Sequence, residues 1–202
     1  NINSDLVKNI PSKDVAMLMT YKLNPKMLKE FLEKFKLDGM LNMGLIMAGT
    51  SMDKITETFT GDMVFAMTDL KVKPTTDTTS DGINSNIDMN MLFAMGISDK
   101  EHVEKLLNKT SQSGAIVKSG NQYTMAGNDN ANMMIENKML VVSSKKEMTA
   151  NYLKANGNVK DGISADTWKH LTSNMMGFYV DIKKAMQAIP NKDLDKTPEE
   201  KQ

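Results

Sequence analysis

A strict alternation of residue types over Ile87–Ile97 constrains the fold of this chain more than any other feature of its sequence. Successive side chains of a β-strand point to opposite faces, so a period of two predicts a strand with one apolar face. We expect that apolar face to pack on the protein core. The large apolar residues at every second position are Ile87, Met89, Met91, Phe93, Met95 and Ile97, and between them stand Asp88, Asn90, Leu92, Ala94 and Gly96.

Shorter patterns predict further strands and helices. Asn24-Pro25 is typical of a helix start, because Asn caps the first turn and Pro suits the first helical position. Apolar residues then recur at helical spacing to about Lys36. Segments 98–101 and 144–147 both spell Ser-x-x-Glu, which predicts a capping box and a helix after each. We expect caps at Ser51 and Ser164, helical structure within 37–59, and strands over 15–23, 63–72, 115–118, 122–126, 132–136, 139–143 and 175–182.

The order of these elements predicts an α+β fold. Strands at hairpin spacing mixed with capped helices favour a largely antiparallel sheet with helices packed on one face. Four places where a strand is followed by a capped helix leave a doubly wound α/β fold as the alternative. We expect residues 1–189 to form a single α+β domain or two intimate lobes, and residues 190–202 to form a polar tail or linker.

Composition excludes several classes of function. The chain carries 25 basic and 25 acidic residues, and every basic residue is Lys. Nucleic-acid binding would call for a basic excess and for Arg, so we expect no nucleic-acid partner. The absence of Cys excludes disulfides, thiolate metal sites and a Cys nucleophile. No apolar run approaches the roughly 18 residues of a transmembrane helix.

The residues with catalytic or metal-binding chemistry are scattered. His102 and His170 stand in separate predicted helices without a paired ligand at helical spacing. Ser51 and Lys54 match Ser-x-x-Lys, but the companion motifs of that class of acylase are missing. Turn chemistry explains the loop carboxylates better than a calcium site does; they are Asp77, Asp81, Asp129 and Asp161. We therefore expect no enzyme activity, no cofactor, and no catalytic, cofactor-binding or metal-binding residue.

Methionine is unusually abundant, with 20 residues. Met89, Met91 and Met95 share one face of a predicted strand, and Met40, Met43 and Met47 share one side of a predicted helix, which favours core packing. Two alternatives remain open. One is a soft-ligand copper site built from paired methionines, such as Met133-Met134 and Met175-Met176. The other is an adaptable Met-lined groove near segment 39–52 for an apolar molecule or peptide.

Three segments of the chain resemble a known family. They are the Ile-Pro opening of Ile10–Leu18, the aromatic-Thr-Gly-Asp strand of Phe59–Met67, and the Gly-x-x-Tyr hairpin series of Gly120–Ser143. Together they resemble the uncharacterised Bacteroidetes lipoproteins of domain-of-unknown-function family 4836. The resemblance implies an exported protein at the periplasm or outer-membrane surface, with a lipid anchor outside this chain, and it implies that the chain is a fragment of a longer lipoprotein.

These observations lead to two expectations about function. The first is a non-enzymatic extracytoplasmic interaction or scaffold module of a surface or periplasmic lipoprotein. The alternative is a binding protein for an apolar small molecule or peptide, which would use the Met-lined groove. An enzyme would instead need polar side chains that converge in a cleft.

Overall fold

The computed structural model describes residues 1–36, 38–72, 87–136 and 138–187, and over these ranges the chain forms an α+β fold built on an eight-stranded sheet. All paired neighbours in the sheet run antiparallel, which excludes the α/β alternative. The strand order is β4-β5-β6-β7-β3-β2-β1-β8. The strands are β1 Val15–Lys22, β2 Phe59–Val72, β3 Ile87–Ile97, β4 Ile116–Ser119, β5 Gln122–Met125, β6 Asn128–Glu136, β7 Met139–Ser143 and β8 Met176–Val180.

The described residues form eight α-helices. A 3-10 turn at Val159–Gly162 accompanies the α-helices. The helices are α1 Ser4–Lys8, α2 Pro25–Lys34, α3 Asp38–Ala48, α4 Met52–Thr58, α5 Lys100–Gln112, α6 Lys146–Leu153, α7 Ala165–Ser173 and α8 Ile182–Gln187. The predicted loop at 73–85 and the predicted tail at 190–202 lie outside the described residues.

One face of the sheet, the covered face, packs against helices and forms the main core. Its strand residues are fully buried or nearly so, and they include Leu18, Val64, Ala66, Leu92, Ala94 and Val141. Side chains of α1, α6 and α7 join them in one cluster, together with Val159 of the 3-10 turn. Helix α1 was not expected from the polar opening of the chain, yet its Leu6 and Val7 are fully buried.

A second helical group, α2 to α5, reaches one part of the opposite face. Val103 of α5 packs on Ile97 and Ile135 of the sheet, and all three side chains are buried. Helix α4 contacts α2 and α5, and α3 contacts α2 and α5, so these four helices hold together. The group is therefore anchored to the sheet chiefly through α5.

The helix caps confirm three of the predictions and correct two. The side chains of Asn24, Ser51 and Ser164 accept backbone N–H bonds as N-caps. The cap of α5 is Asp99 rather than Ser98, because the Ser98 hydroxyl donates to the carbonyl of Thr58 instead. The cap of α6 is Lys145 without a side-chain bond, because the hydroxyl of Ser144 accepts from the amide of Met91.

Asp99 is also the partner of a lysine. Lys54 Nζ donates to Asp99 Oδ2 at 2.8 Å, and the amide of His102 donates to Asp99 Oδ1 at 2.9 Å. The hydrogen bond from Lys54, together with that amide, lowers the pKa of the Asp99 carboxyl below its ordinary value. This pair ties α4 to the first turn of α5.

The orientation of β3 corrects the most explicit prediction made from the sequence. The strand forms over Ile87–Ile97 as expected, but its core-facing side chains are Leu92 and Ala94, both fully buried. The side with the larger apolar residues faces away from the main core, and only Ile97 is buried there, under α5. The interpretation of Met89, Met91 and Met95 as core residues is therefore wrong.

Candidate interaction surface

The strand register places twelve residues on one open area of the sheet, which we call the Met face. Directly opposed residues of antiparallel strands point to the same face, so each row can be read across β8, β1, β2 and β3. The rows are Met176, Tyr21, Met63 and Met95; then Phe178, Met19, Phe65 and Phe93; then Val180, Met17, Met67 and Met91.

Every member of the Met face is apolar or aromatic, and seven of the twelve are methionines. The face is accessible to solvent. Met19 is 38% exposed, Met91 40%, Phe178 55% and Met176 58%, and the other eight are partly exposed. The opposite side of the same strands is buried against α1, α6 and α7. A sheet normally turns its more apolar side inward, whereas here the described residues leave a large apolar surface uncovered.

Helix α5 limits the Met face on one side. It covers the part of the same sheet face that β4 to β6 contribute, where Ile116, Tyr123 and Ile135 are buried, and Leu140 of β7 packs against the same cluster. Tyr123 Oη donates to Asn108 Oδ1 of α5 at 3.2 Å, and Lys118 Nζ donates to the same oxygen at 2.9 Å. The other limit is β8, an edge strand that pairs with β1 alone.

Ion pairs of both signs flank the ends of the Met face. At one end Lys22 Nζ lies 2.7 Å from Asp62 Oδ2. At the other end Lys184 bridges Asp14 and Asp181. The Lys22–Asp62 pair is balanced, whereas Lys184 has two carboxylate partners, so the cluster around Lys184 carries one net negative charge.

Helices α2 and α3 also expose apolar side chains. The apolar stripe of α2 predicted from the sequence is present, but α2 contains no buried residue. Phe31 and Phe35 contact each other with ring centroids 4.5 Å apart, and both are exposed. Ile46 and Met47 of α3 are exposed as well.

The two histidines lie apart from the Met face. His102 Nε2 is 2.8 Å from the hydroxyl of Thr50, and His170 Nδ1 is 3.0 Å from the amide of Asn174. Both rings thus have neutral partners. Ser51 Oγ accepts the amide of Lys54, so this Ser acts as the expected helix cap.

The predicted loop carboxylates are not brought together by the described structure. Asp161 is exposed in the 3-10 turn, and the side chain of Asp129 and all of Asp77 and Asp81 lie outside the described residues. Within the described ranges no group of three or more His, Asp or Glu side chains could hold a metal ion. The copper site built from paired methionines stays a prediction.

Two cavities lie near the start of α6, and polar side chains contribute to the lining of both. One, of about 170 Å³, includes Asp69, Asn90 and Glu147 in its lining, and its neighbour, of about 430 Å³, includes Gln122 and Asn132. None of the side chains described within segment 39–52 lines either cavity. The predicted groove in that segment therefore stays a prediction.

The sequence held a signal for the Met face that the single-strand analysis missed. Met17, Met19 and Tyr21 alternate with the buried Ala16, Leu18 and Thr20, and β2 shows the same pattern with Met63, Phe65 and Met67. In both strands the larger side chains line one side and the smaller ones the other. Two apolar sides in one strand indicate two surfaces to be covered, and the described helices cover only one of them fully.

No family model, curated protein or solved structure matches this chain. Among the residues that the structure describes, no helix combines the length and the apolarity needed to cross a membrane.

Proposed function

We propose that this chain is a non-enzymatic interaction module that binds an apolar partner surface through the Met face. The observation that carries the proposal is the orientation of β3, whose larger apolar side chains face solvent while Leu92 and Ala94 fill the core. Exposed apolar patches of this extent mark interaction sites in soluble proteins.

The residue types of the Met face fit this role. Methionine is unbranched and polarisable, so it adapts its shape to a partner at little cost. The three phenylalanines and Tyr21 supply rigid area of the kind enriched at interfaces. A catalytic cleft would instead gather titratable groups, and the polar side chains nearest the Met face are ion pairs at its rim.

Methionine oxidation by hydrogen peroxide tests the proposal without knowledge of the partner. Met91 lies on the Met face and Met125 lies outside it, and their exposures of 40% and 49% are well matched. In the dilute purified chain, we expect peptide mass spectrometry to show similar oxidation rates for the two. In the cells that produce the protein, Met91 should be oxidised several-fold more slowly, while Met125 keeps its rate. Equal rates for both methionines in the cell would refute a covered Met face.

We further propose an extracytoplasmic location, at the periplasm or outer-membrane surface. The resemblance of three segments to the Bacteroidetes lipoprotein family supports it, and the absence of Cys is compatible with it. Fractionation of the producing cells tests the location: recovery with periplasmic or envelope markers is expected, and recovery with cytoplasmic markers would contradict it.

A second candidate function is binding of an apolar small molecule or peptide near α2 and α3. The exposed apolar side chains of Phe31, Phe35, Ile46 and Met47 favour it. A ligand that binds only the native state raises the free energy of unfolding by RT ln(1 + [L]/Kd). Thermal shifts with fatty acids or apolar peptides, lost in Phe31→Ala but kept in Met19→Ala, would support this candidate over the first.

A further inference from the structure

We propose that the partner of the Met face is a second copy of this chain, packed face to face about a two-fold axis parallel to β1 and β2. This inference rests on the proposed function, because it names the partner of the same surface. Two copies related in this way form a sandwich of two sheets, which normally pack about 10 Å apart with their strands crossing at about 30°.

The area of the Met face fits a stable dimer. A fully exposed aromatic or Met side chain presents roughly 200 Å². With four members exposed by about half and eight exposed to a smaller degree, the face offers about 700 Å². Specific interfaces bury about 800 Å² on each partner, so one copy of this surface is close to sufficient.

The charge distribution also suits self-association. The chain has a formal net charge of +0, and the twelve positions of the Met face carry no charged residue. Two identical charged surfaces would repel each other, whereas two neutral apolar surfaces do not. A strongly acidic or basic partner would find no complementary charge here.

The position of helix α5 decides between two possible directions of the two-fold axis. An α-helix is about 10 Å across, so α5 lies at the height at which a second sheet would pack. An axis perpendicular to the strands would place the α5 helices of both copies in the same space. An axis parallel to the strands, between β1 and β2, places α5 of each copy beyond the opposite edge of the other sheet.

The same arrangement covers the free edge of β8. The open part of the sheet is four strands wide, or about 19 Å, and the four matching strands of the second copy fill it. Strand β8 of one copy then lies alongside α5 of the other. Exposed apolar edge strands promote uncontrolled pairing, and β8 has the sequence Met-Gly-Phe-Tyr-Val with neither Lys nor Pro to prevent it.

The axis also predicts which residues meet. Rotation about a line between β1 and β2 exchanges the positions of these strands and keeps each row of the Met face in place. Met19 of one copy is then expected opposite Phe65 of the other, and Phe178 opposite Phe93. Met19 lies beside the axis, so the two copies of Met19 are separated by roughly 11 Å, which combines the sheet spacing with one strand spacing.

Sedimentation velocity on the purified chain tests the dimer. We expect a concentration-dependent dimer for the wild type and a monomer for Met19→Lys, because the variant brings two unpaired charges into an apolar interface. Met125→Lys adds the same charge outside the Met face and should dimerise like the wild type. A wild type that stays monomeric, or a dimer that survives Met19→Lys, would overturn the inference.

Cross-linking gives an independent readout with milder variants. The chain has no Cys, so Met19→Cys and Lys169→Cys each carry a single thiol. Lys169 is exposed on α7, on the other side of the sheet. A bis-maleimide that spans about 11 Å should join two copies through Cys at position 19 and not through Cys at 169. Equal yields for the two variants would contradict the proposed packing.

The outcome for the second copy is separable from the outcome for the Met face. Slow oxidation of Met91 in the cell combined with a monomer in solution would refute the dimer and keep the interaction module, with another protein as partner. Equal oxidation of Met91 and Met125 in the cell would refute both.

Discussion

Tyr152 anchors helix α1, which the sequence patterns did not predict. It is fully buried, and its hydroxyl donates to the carbonyl of Leu6 at 2.7 Å, which fixes α1 on the covered face. The Tyr152→Phe variant leaves that buried carbonyl without its donor. We expect it to lose about 1–3 kcal/mol of unfolding free energy, measured by urea denaturation at neutral pH. An unchanged free energy would mean that water replaces the hydroxyl.

Tyr152 also predicts a specific response to alkali. Burial raises the pKa of its hydroxyl above the ordinary value of 10.0. The unfolded chain therefore releases this proton near pH 10 while the folded chain keeps it, so stability falls as the pH rises further. Above pH 10 the wild type should lose about 1.4 kcal/mol per pH unit relative to Tyr152→Phe. Parallel urea titrations of the two proteins from pH 9 to 11 measure this difference. Both proteins contain the same lysines, so lysine titration cancels in the comparison.

At the residue scale the sequence predicts well where a helix is capped, but less well which of two neighbouring residues is the cap. Asn24-Pro25 allows one favourable helix start, with Asn24 as the cap and Pro25 as the first helical residue, and the structure confirms it. Ser98 and Asp99 are both good caps, and the choice between them depends on the Thr58 carbonyl and Lys54, which tertiary contacts bring near. Sequence patterns do not reveal these tertiary neighbours, so they could not decide between the two caps.

At the scale of elements, β3 separates core packing from the interface. Leu92 is fully buried, so Leu92→Ala should cost about 2–5 kcal/mol through lost burial and the cavity left behind. Its neighbour Met91 is on the Met face, and Met91→Ala should cost about 0.5 kcal/mol or less in the monomer. Urea denaturation at concentrations that keep the chain monomeric compares the two. Equal costs would contradict the assignment of the two faces.

The turn from β1 into α2 depends on Gly61. The amide of Leu23 donates to the carbonyl of Gly61 at 2.9 Å, and Gly61 has a φ of +84°. A Cβ atom at this position would lie 1.7 Å from the carbonyl oxygen of Leu23. Steric overlap and the left-handed backbone together predict a cost of about 2–5 kcal/mol for Gly61→Ala. Gly114→Ala is the control, because it also has a positive φ but no atom nearby, and it should cost clearly less.

A periodic pattern was enough to predict that a strand or helix forms, but not which of its sides is buried. The alternation over Ile87–Ile97 defines a strand and two faces without saying which one the core takes. Leu92 and Ala94 pack in the main core with side chains of α1, α6 and α7, whereas the bulkier Met91, Phe93 and Met95 on the other face are exposed or partly exposed. Helix α1, with five residues, is too short to leave a periodic signal.

At the scale of the whole molecule, local pairings were predictable and distant ones were not. The meander from β4 to β7 follows from hairpin spacing. The pairing of β3 with β7 and of β1 with β8 joins segments far apart in the chain, for which no sequence pattern codes. The pairing of β1 with β8, together with those of β1 with β2 and of β2 with β3, creates the Met face, because these three pairings put β8, β1, β2 and β3 side by side. A surface that depends on long-range pairing could be recognised only once the sheet order was known.

The absence of charge from the Met face makes the salt dependence of dimerisation diagnostic. Raising NaCl from 0.05 to 0.5 M shortens the screening length from about 14 to about 4 Å, which weakens an interface held by ion pairs. The apolar interface should keep its dissociation constant within about twofold over this range, and sodium sulfate should tighten it, because sulfate strengthens apolar burial. Sedimentation equilibrium in each salt measures the constant, with Met125→Lys as control. A tenfold weakening in NaCl would assign the contact to charged groups, such as the rim pairs of Lys22 and Lys184, rather than to the apolar side chains of the Met face.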